Sequence, residues 1–217
     1  MNKEIHSATF LSITPDAEKQ IVYQARVSNP SNQDNPSSSK LIAYLIKHRH
    51  WSPFEMASMQ IQIDTTRAIA AQVLRHRSCS FQEFSQRYAD VGALEPVGYP
   101  HLRVQDVKNK QASHDTLAPN LRSYYEGRIN RLYKEANHLY KNMLADGIAK
   151  ECARSVLPLG TPTRLYMSGT IRSFIHWIEI RSGVETQLEH RMIALDAKKI
   201  FCEQLPAVAT ALGWDSE

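Results

Sequence analysis

The sequence predicts an α+β fold: a single domain over residues 1–217 with a central antiparallel or mixed sheet flanked by long helices. Three observations lead there. Residues 55–63 alternate, with Ala57, Met59, Ile61 and Ile63 on one face against Ser58, Gln60 and Gln62 on the other, the period of a half-buried strand. From Leu121 the apolar positions Tyr125, Ile129, Leu132, Ala136, Leu139 and Met143 recur at spacings of three and four, as in an amphipathic helix. No internal repeat or low-complexity tract interrupts the chain, and 217 residues are enough to bury one sizeable core.

In order along the chain, IHSATFLSI at 5–13 reads as a strand. Thr14-Pro15 offers an N-cap and a proline at the first helical position for a helix reaching about Val27. The polar run SNPSNQDNPSSS is a loop whose end caps a second helix, KLIAYLIKH. HWSP then breaks the pattern, because proline disfavours helix in the residue before it. After the alternating strand a third helix starts at Thr65 or Thr66 and carries Gln72, Arg75 and His76 near its C-terminal end. Residues 89–118 keep no period and form a long surface excursion with the character of a lid. The long amphipathic helix stops near Gly147, and its stripe suits either a core or a subunit contact. A short helix runs through Ala153, LPLGTP breaks the chain, one helix covers TRLYMSGTIRSFIHWIEIR, and a last helix spans about Glu185 to Leu205.

Composition bounds the function. A net charge of +4 makes the chain a weak candidate for a dedicated nucleic-acid binder and a fair one for a protein with anionic small ligands. Cys79, Cys152 and Cys202 are odd in number and far apart, which argues against a disulfide framework and a zinc knuckle and for a reducing cytoplasm. No run approaches a membrane span, so a soluble cytoplasmic protein is expected. Neither G-x-G-x-x-G after a strand nor G-x-x-x-x-G-K-[ST] occurs, and with eight glycines phosphates must be held by side chains.

Those side chains are arginines. Arg75, Arg77 and Arg87 crowd into LRHRSCSFQEFSQRY at 74–88, and Arg154, Arg164, Arg172 and Arg181 follow; guanidinium groups grip phosphate bidentately and pair with a planar base edge. Any single one of them could instead lie along the surface or complement a helix dipole. The HRH at 48–50 and His76 lack a four-ligand set and have arginine neighbours that repel a cation, so no metal is expected. Cys79 beside Arg77 has the surroundings of an activated thiol, yet a lone cysteine is more often a small packing residue.

One pattern decides between these options. Arg75-His76-Arg77, seven residues and Ser85 make R-H-R-x7-S, which resembles the signature of the flavin-dependent thymidylate synthases; Glu83 and Arg87-Tyr88 fit the same pattern. ARVS at 25–28, HWSPFE at 50–55, the Ala153-Arg154 pair, LPLGTPTR at 157–164, IRSFIHWIEIR at 171–181 and TQLEHR at 186–191 resemble further segments of that family in the same order. The resemblance spans about residues 20–200.

The resemblance implies methylation of dUMP to dTMP, with a methylene from 5,10-methylenetetrahydrofolate and a hydride from FAD that NADPH has reduced. It sets Gln72, Arg75, Glu83, Ser85, Gln86, Arg87, Arg154 and Arg181 around the nucleotide. It sets Ser28, His50, Ser52, Glu55, Arg75, His76, Arg77, Glu83, Thr170, Arg172 and His176 around FAD. Arg181 resembles the arginine against the uracil ring, where a fixed positive charge favours loss of the N3 proton, and is the catalytic candidate. The methyl carbon goes by way of the flavin in this family, so Ser85 is a positioning residue and Cys79 is incidental. A homotetramer whose sites draw on neighbouring subunits is also implied. Thr170 stands where the family often has asparagine, Gln86 where some relatives have glycine, and Trp51 is either a stacking surface or packing. The alternatives are a one-carbon transfer to another pyrimidine nucleotide, release of a hydroxymethyl product, and a non-catalytic nucleotide or nucleic-acid binder.

Overall fold

Alternation at residues 57–63 builds the middle of a sheet. The computed structural model describes residues 6–35, 37–94 and 101–214. The N-terminal half comprises β1 (Ser7–Ile13), α1 (Ala17–Ala25), α2 (Ser39–Lys47), β2 (Ser58–Thr66), α3 (Arg67–Val73), β3 (Cys79–Glu83), β4 (Val104–Gln105) and β5 (Ser113–His114). The C-terminal half comprises α4 (Pro119–Ala145), α5 (Lys150–Ala153), β6 (Pro162–Thr170), α6 (Ile171–Arg181), α7 (Leu188–Gln204) and α8 (Pro206–Leu212).

The main sheet has the order β1-β2-β6-β3, antiparallel throughout. Met59, Ile61 and Ile63 of β2 and Leu165 and Met167 of β6 are fully buried on one face, while Gln60, Tyr166, Ser80 and Gln82 are exposed on the other. Single-faced burial is what an antiparallel sheet permits. In β1 the register slips between Phe10 and Ser12, leaving Leu11 unpaired and 44% exposed. That bulge switches the parity of the strand, so Ala8 and Phe10 on one side of it and Ile13 on the other all pack on the core. Ile21 of α1, Ile42 of α2, Ile69 of α3, Phe174 and Trp177 of α6 and Phe201 of α7 close over the sheet. Each large side chain so buried contributes about 1.5–3 kcal/mol.

Several boundaries differ from the sequence reading. Of the first expected strand, Ile5 lies outside the described residues. α1 begins at Ala17, not at Thr14-Pro15, and ends at Ala25; Asp16 stands before it in the left-handed region at φ 49°. α3 ends at Val73, so Arg75 and His76 lie beyond the helix, and the unforeseen β3 follows. The run TRLYMSGTIRSFIHWIEIR is two elements. Its first part completes β6, because Thr163, Leu165 and Met167 alternate inward and β2 and β3 satisfy the backbone on both edges. Thr170 then starts α6, its Oγ1 accepting from Ser173 N at 3.2 Å. The expected last helix is α7, and Pro206 opens the separate α8.

The excursion at 89–118 contains the short β4–β5 ladder, and its residues 95–100 lie outside the described residues. α4 spans 27 residues, about 40 Å at 1.5 Å per residue. It ends in a left-handed Gly147 (φ 81°), with Ile148 N donating to Met143 O at 2.9 Å. Among the described residues its one buried side chain is Tyr140, near the C-terminal end, which joins Val91 and Ala153 in a small second core. Tyr125, Leu132 and Leu139 of the stripe are 48%, 59% and 48% exposed. Among the described residues no helix is long and apolar enough to cross a membrane.

Candidate functional site

Two clefts are lined by residues singled out from the sequence. The larger, about 650 Å³, lies between the turn after α2, the loop after α3 and one face of α6. Arg172, Ile175, His176 and Glu179 line it because spacings of three and four share a helix face. Arg49, Trp51 and Glu55 line the opposite wall, with Arg49 in the left-handed region at φ 57°. Glu55 accepts from Arg172 Nη1 across the cleft. Trp51 has two roles, edge-on to Phe54 at 5.7 Å and lining the cleft.

The loop floor is fixed by short polar contacts. Ser173 Oγ donates to Ser78 O at 3.0 Å, and Ser78 Oγ shares a hydrogen bond with His76 Nε2 at 2.9 Å. The His76 ring lies 5.6 Å from that of His176. Burial, the neighbouring His176 and Arg181 hold the His76 pKa below the usual histidine value, against an opposing backbone contact with Ser173. His190 is buried against Trp177, with ring centroids 6.0 Å apart, and burial followed by the charge of Arg181 pushes its pKa down to about 4. Among the described residues, neither His190 nitrogen finds a hydrogen-bond partner, nor does buried Arg181 Nε. Buried polar groups without partners are costly, and here they gather beside His76 at the end of α6.

The second cleft, about 390 Å³, is lined by Ser85, Arg87, Tyr88, Ala149, Lys150 and Glu151. Arg87 Nε donates to Glu151 Oε2 at 3.2 Å. Cys79 sits in neither lining; burial pushes its thiol up to about 12, against a smaller effect of Ser78, so it is protonated at neutral pH.

The sequence model of the family described as "Thymidylate synthase complementing protein" matches residues 9–207. The chain belongs to that family. A probable flavin-dependent thymidylate synthase of Paramecium bursaria Chlorella virus 1 is 49% identical over 217 aligned residues, covering 96% of this chain and 99% of the relative. A flavin-dependent thymidylate synthase of Synechocystis is 50% identical over 194, covering 89% and 88%. Among solved structures, a UMP/dUMP methylase, PolB, of Streptomyces cacaoi bound with 5-Br dUMP superposes with a TM-score of 0.83 at 26% identity, covering 96% of this chain and 94% of that one.

In this thymidylate synthase complementing family member, the residues singled out from sequence fall into separate groups. Glu55, Arg172 and His176 line the larger cleft, with His76 against it; His50 and Ser52 are exposed on the turn that forms its wall. Ser85 and Arg87 line the second cleft, and neither lining includes Arg154. Arg75 and Arg77 are exposed on the loop after α3. Gln72 lies in α3 and bonds Gln187, and Gln86 is buried with Nε2 unpartnered among the described residues. Ser28 is exposed beyond α1, in a loop clipped by Arg26, whose Nη2 donates to Ser37 O at 2.7 Å. Glu83 Oε1 accepts from Arg67 Nη1 at 2.5 Å and from Thr163 Oγ1 at 2.9 Å. Thr170 acts as the α6 N-cap, a role that asparagine also fills.

Sequence reasoning missed Arg49, Arg67, Ser78, Ser173 and Glu179. Glu179 was within reach, since it lies seven residues after Arg172 on the same helix face. Nothing local marks Arg49, whose place depends on a left-handed turn in a non-glycine residue.

Proposed function

We propose that the chain is a flavin-dependent thymidylate synthase that converts dUMP to dTMP, with FAD as cofactor and 5,10-methylenetetrahydrofolate and NADPH as co-substrates. The observation that carries the reading is the cleft with Arg49 and Arg172 on its walls, with His76 against its His176 and the charge of Arg181 felt at His76. Arg49 and Arg172 are suited to the FAD phosphates, and Trp51 to its rings. When bound, FAD supplies the hydride that completes the methyl group. Arg181 sets a fixed positive charge against the uracil ring and favours the N3-deprotonated form, while Ser85, Arg87 and Arg154 hold the nucleotide. His76, kept neutral, offers a hydrogen bond without adding a second charge.

The working form is a homotetramer with shared sites. Supporting it are the exposed α4 stripe and the separation of the flavin set from Ser85 and Arg87 within one chain. The test is product analysis. Purified protein with a flavin spectrum, given dUMP, the folate and NADPH, should yield dTMP. A colourless protein whose nucleotide binding falls steeply with salt would favour a non-catalytic binder instead. UMP belongs in the same assay, because the solved neighbour acts on UMP/dUMP. Methylation of UMP at a comparable rate would widen the substrate to pyrimidine nucleotides generally.

A further inference from the structure

Four side chains link the segment before β4 to α3, ending at Gln72, which the family resemblance sets against the nucleotide. Arg103 donates Nη1 to Glu189 Oε1 at 2.7 Å and Nη2 to Oε2 at 3.0 Å. The pair is buried, with side chains 12% and 5% exposed. Gln187, just before α7, donates Nε2 to Glu189 Oε2 at 2.9 Å, and Gln72 Nε2 donates to Gln187 Oε1 at 2.7 Å.

The direction of this chain is set by its far end. A guanidinium only donates and a carboxylate only accepts. Burial alone would raise the Glu189 pKa, but hydrogen bonds from Arg103, its own backbone and Gln187 hold it below the usual value, so Glu189 is ionised at neutral pH. Gln187 must turn its amino group to that carboxylate, which aims its carbonyl at Gln72. Gln72 answers with its own amino group, and its carbonyl oxygen is left over. A free glutamine amide has two nearly isosteric orientations, and the relay removes one of them.

We propose that Gln187, oriented by Glu189 and Arg103, is a positioning residue that fixes the Gln72 amide so that Oε1 accepts a hydrogen bond from an N–H or O–H of the pyrimidine nucleotide. The proposal rests on the reading of Gln72 as a dUMP contact. The reversed amide would set N–H against a ligand donor, and a donor facing a donor loses the hydrogen bond.

The experiment titrates dUMP into the FAD-loaded protein, read by the flavin spectrum, for wild type, Gln72→Leu, Gln187→Leu and the double variant. Gln187→Asn is included as a second break, since it keeps the amide but is one methylene too short. Thermal midpoint and FAD content report folding separately. Each single variant should weaken dUMP by about tenfold, and the double no more than Gln72→Leu alone, the non-additivity of residues acting through one another. Binding within about twofold of wild type in Gln187→Leu, or additive losses in the double variant, would overturn the relay and leave Gln72 as a contact. If Gln72→Leu itself binds dUMP normally, the placement of the nucleotide fails and the relay goes with it.

Discussion

Arg181 closes α6 with its Nε buried and, among the described residues, unpartnered, and its charge is felt by both His76 and His190. A planar, two-pronged cation fits the edge of a uracil in a way that a point ammonium does not. Arg181→Lys should therefore keep the fold and the flavin but lose most dTMP formation; near-normal turnover would remove Arg181 from the chemistry. His6, His76 and His190 are all held below the histidine value of 6.5, each chiefly by burial. In the unfolded chain they take up protons near that value, whereas folded His190 resists until about pH 4. Between those limits the unfolded state binds more protons, so stability rises with pH through the window and is lost as pH falls. The thermal midpoint should drop from neutral pH toward about pH 5, and His190→Leu should flatten that slope. An unchanged slope in the variant would mean that His190 does not titrate with folding.

The β3–β6 pair shows what a single cross-strand contact fixes. Cys79 pairs with Gly169, and a Cβ on Gly169 would come within 2.6 Å of Cys79 Sγ. Gly169→Ala should lower stability by about 1–3 kcal/mol through overpacking. Cys79→Ala removes the obstructing sulfur, so it should relieve that loss in the double variant and, alone, leave activity within a few-fold. The midpoint of denaturant unfolding reads the first effect, and dTMP formation the second. A covalent adduct between Cys79 and the pyrimidine would overturn the packing role. Legibility from sequence follows the same logic. β2 was readable because its alternation is clean, and α4 because its period is sustained. β6 was read as helix because Leu165, Tyr166 and Met167 join smoothly to the true helix, and only pairing with two neighbouring strands selects the extended form.

At the scale of the molecule, α4 is a helix of 27 residues that, among the described residues, leaves Tyr125, Leu132 and Leu139 of its apolar stripe about half exposed. If Arg75 and Arg181 serving one site come from different subunits, inactive Arg75→Ala and Arg181→Ala proteins should complement. Mixed after mild dissociation, they should regain up to about a quarter of the sites, by the closed symmetry of such oligomers. No recovery in tetramers whose mixed composition is confirmed by mass, or a fully active monomer by light scattering, would reject shared sites.

Sequence by itself determined the family, from R-H-R-x7-S and its ordered companions, because phosphate and base recognition demand particular side chains at particular intervals. It also determined the amphipathic elements, whose periods are local. Tertiary structure decided what spacing cannot encode: that Glu83 is engaged by Arg67 and Thr163, that Thr170 caps α6, that Arg49 faces Arg172 across a cleft, and that Gln72 and Gln187 meet 115 residues apart. These depend on which elements the hydrophobic core brings together, and that is a property of packing rather than of any stretch of chain.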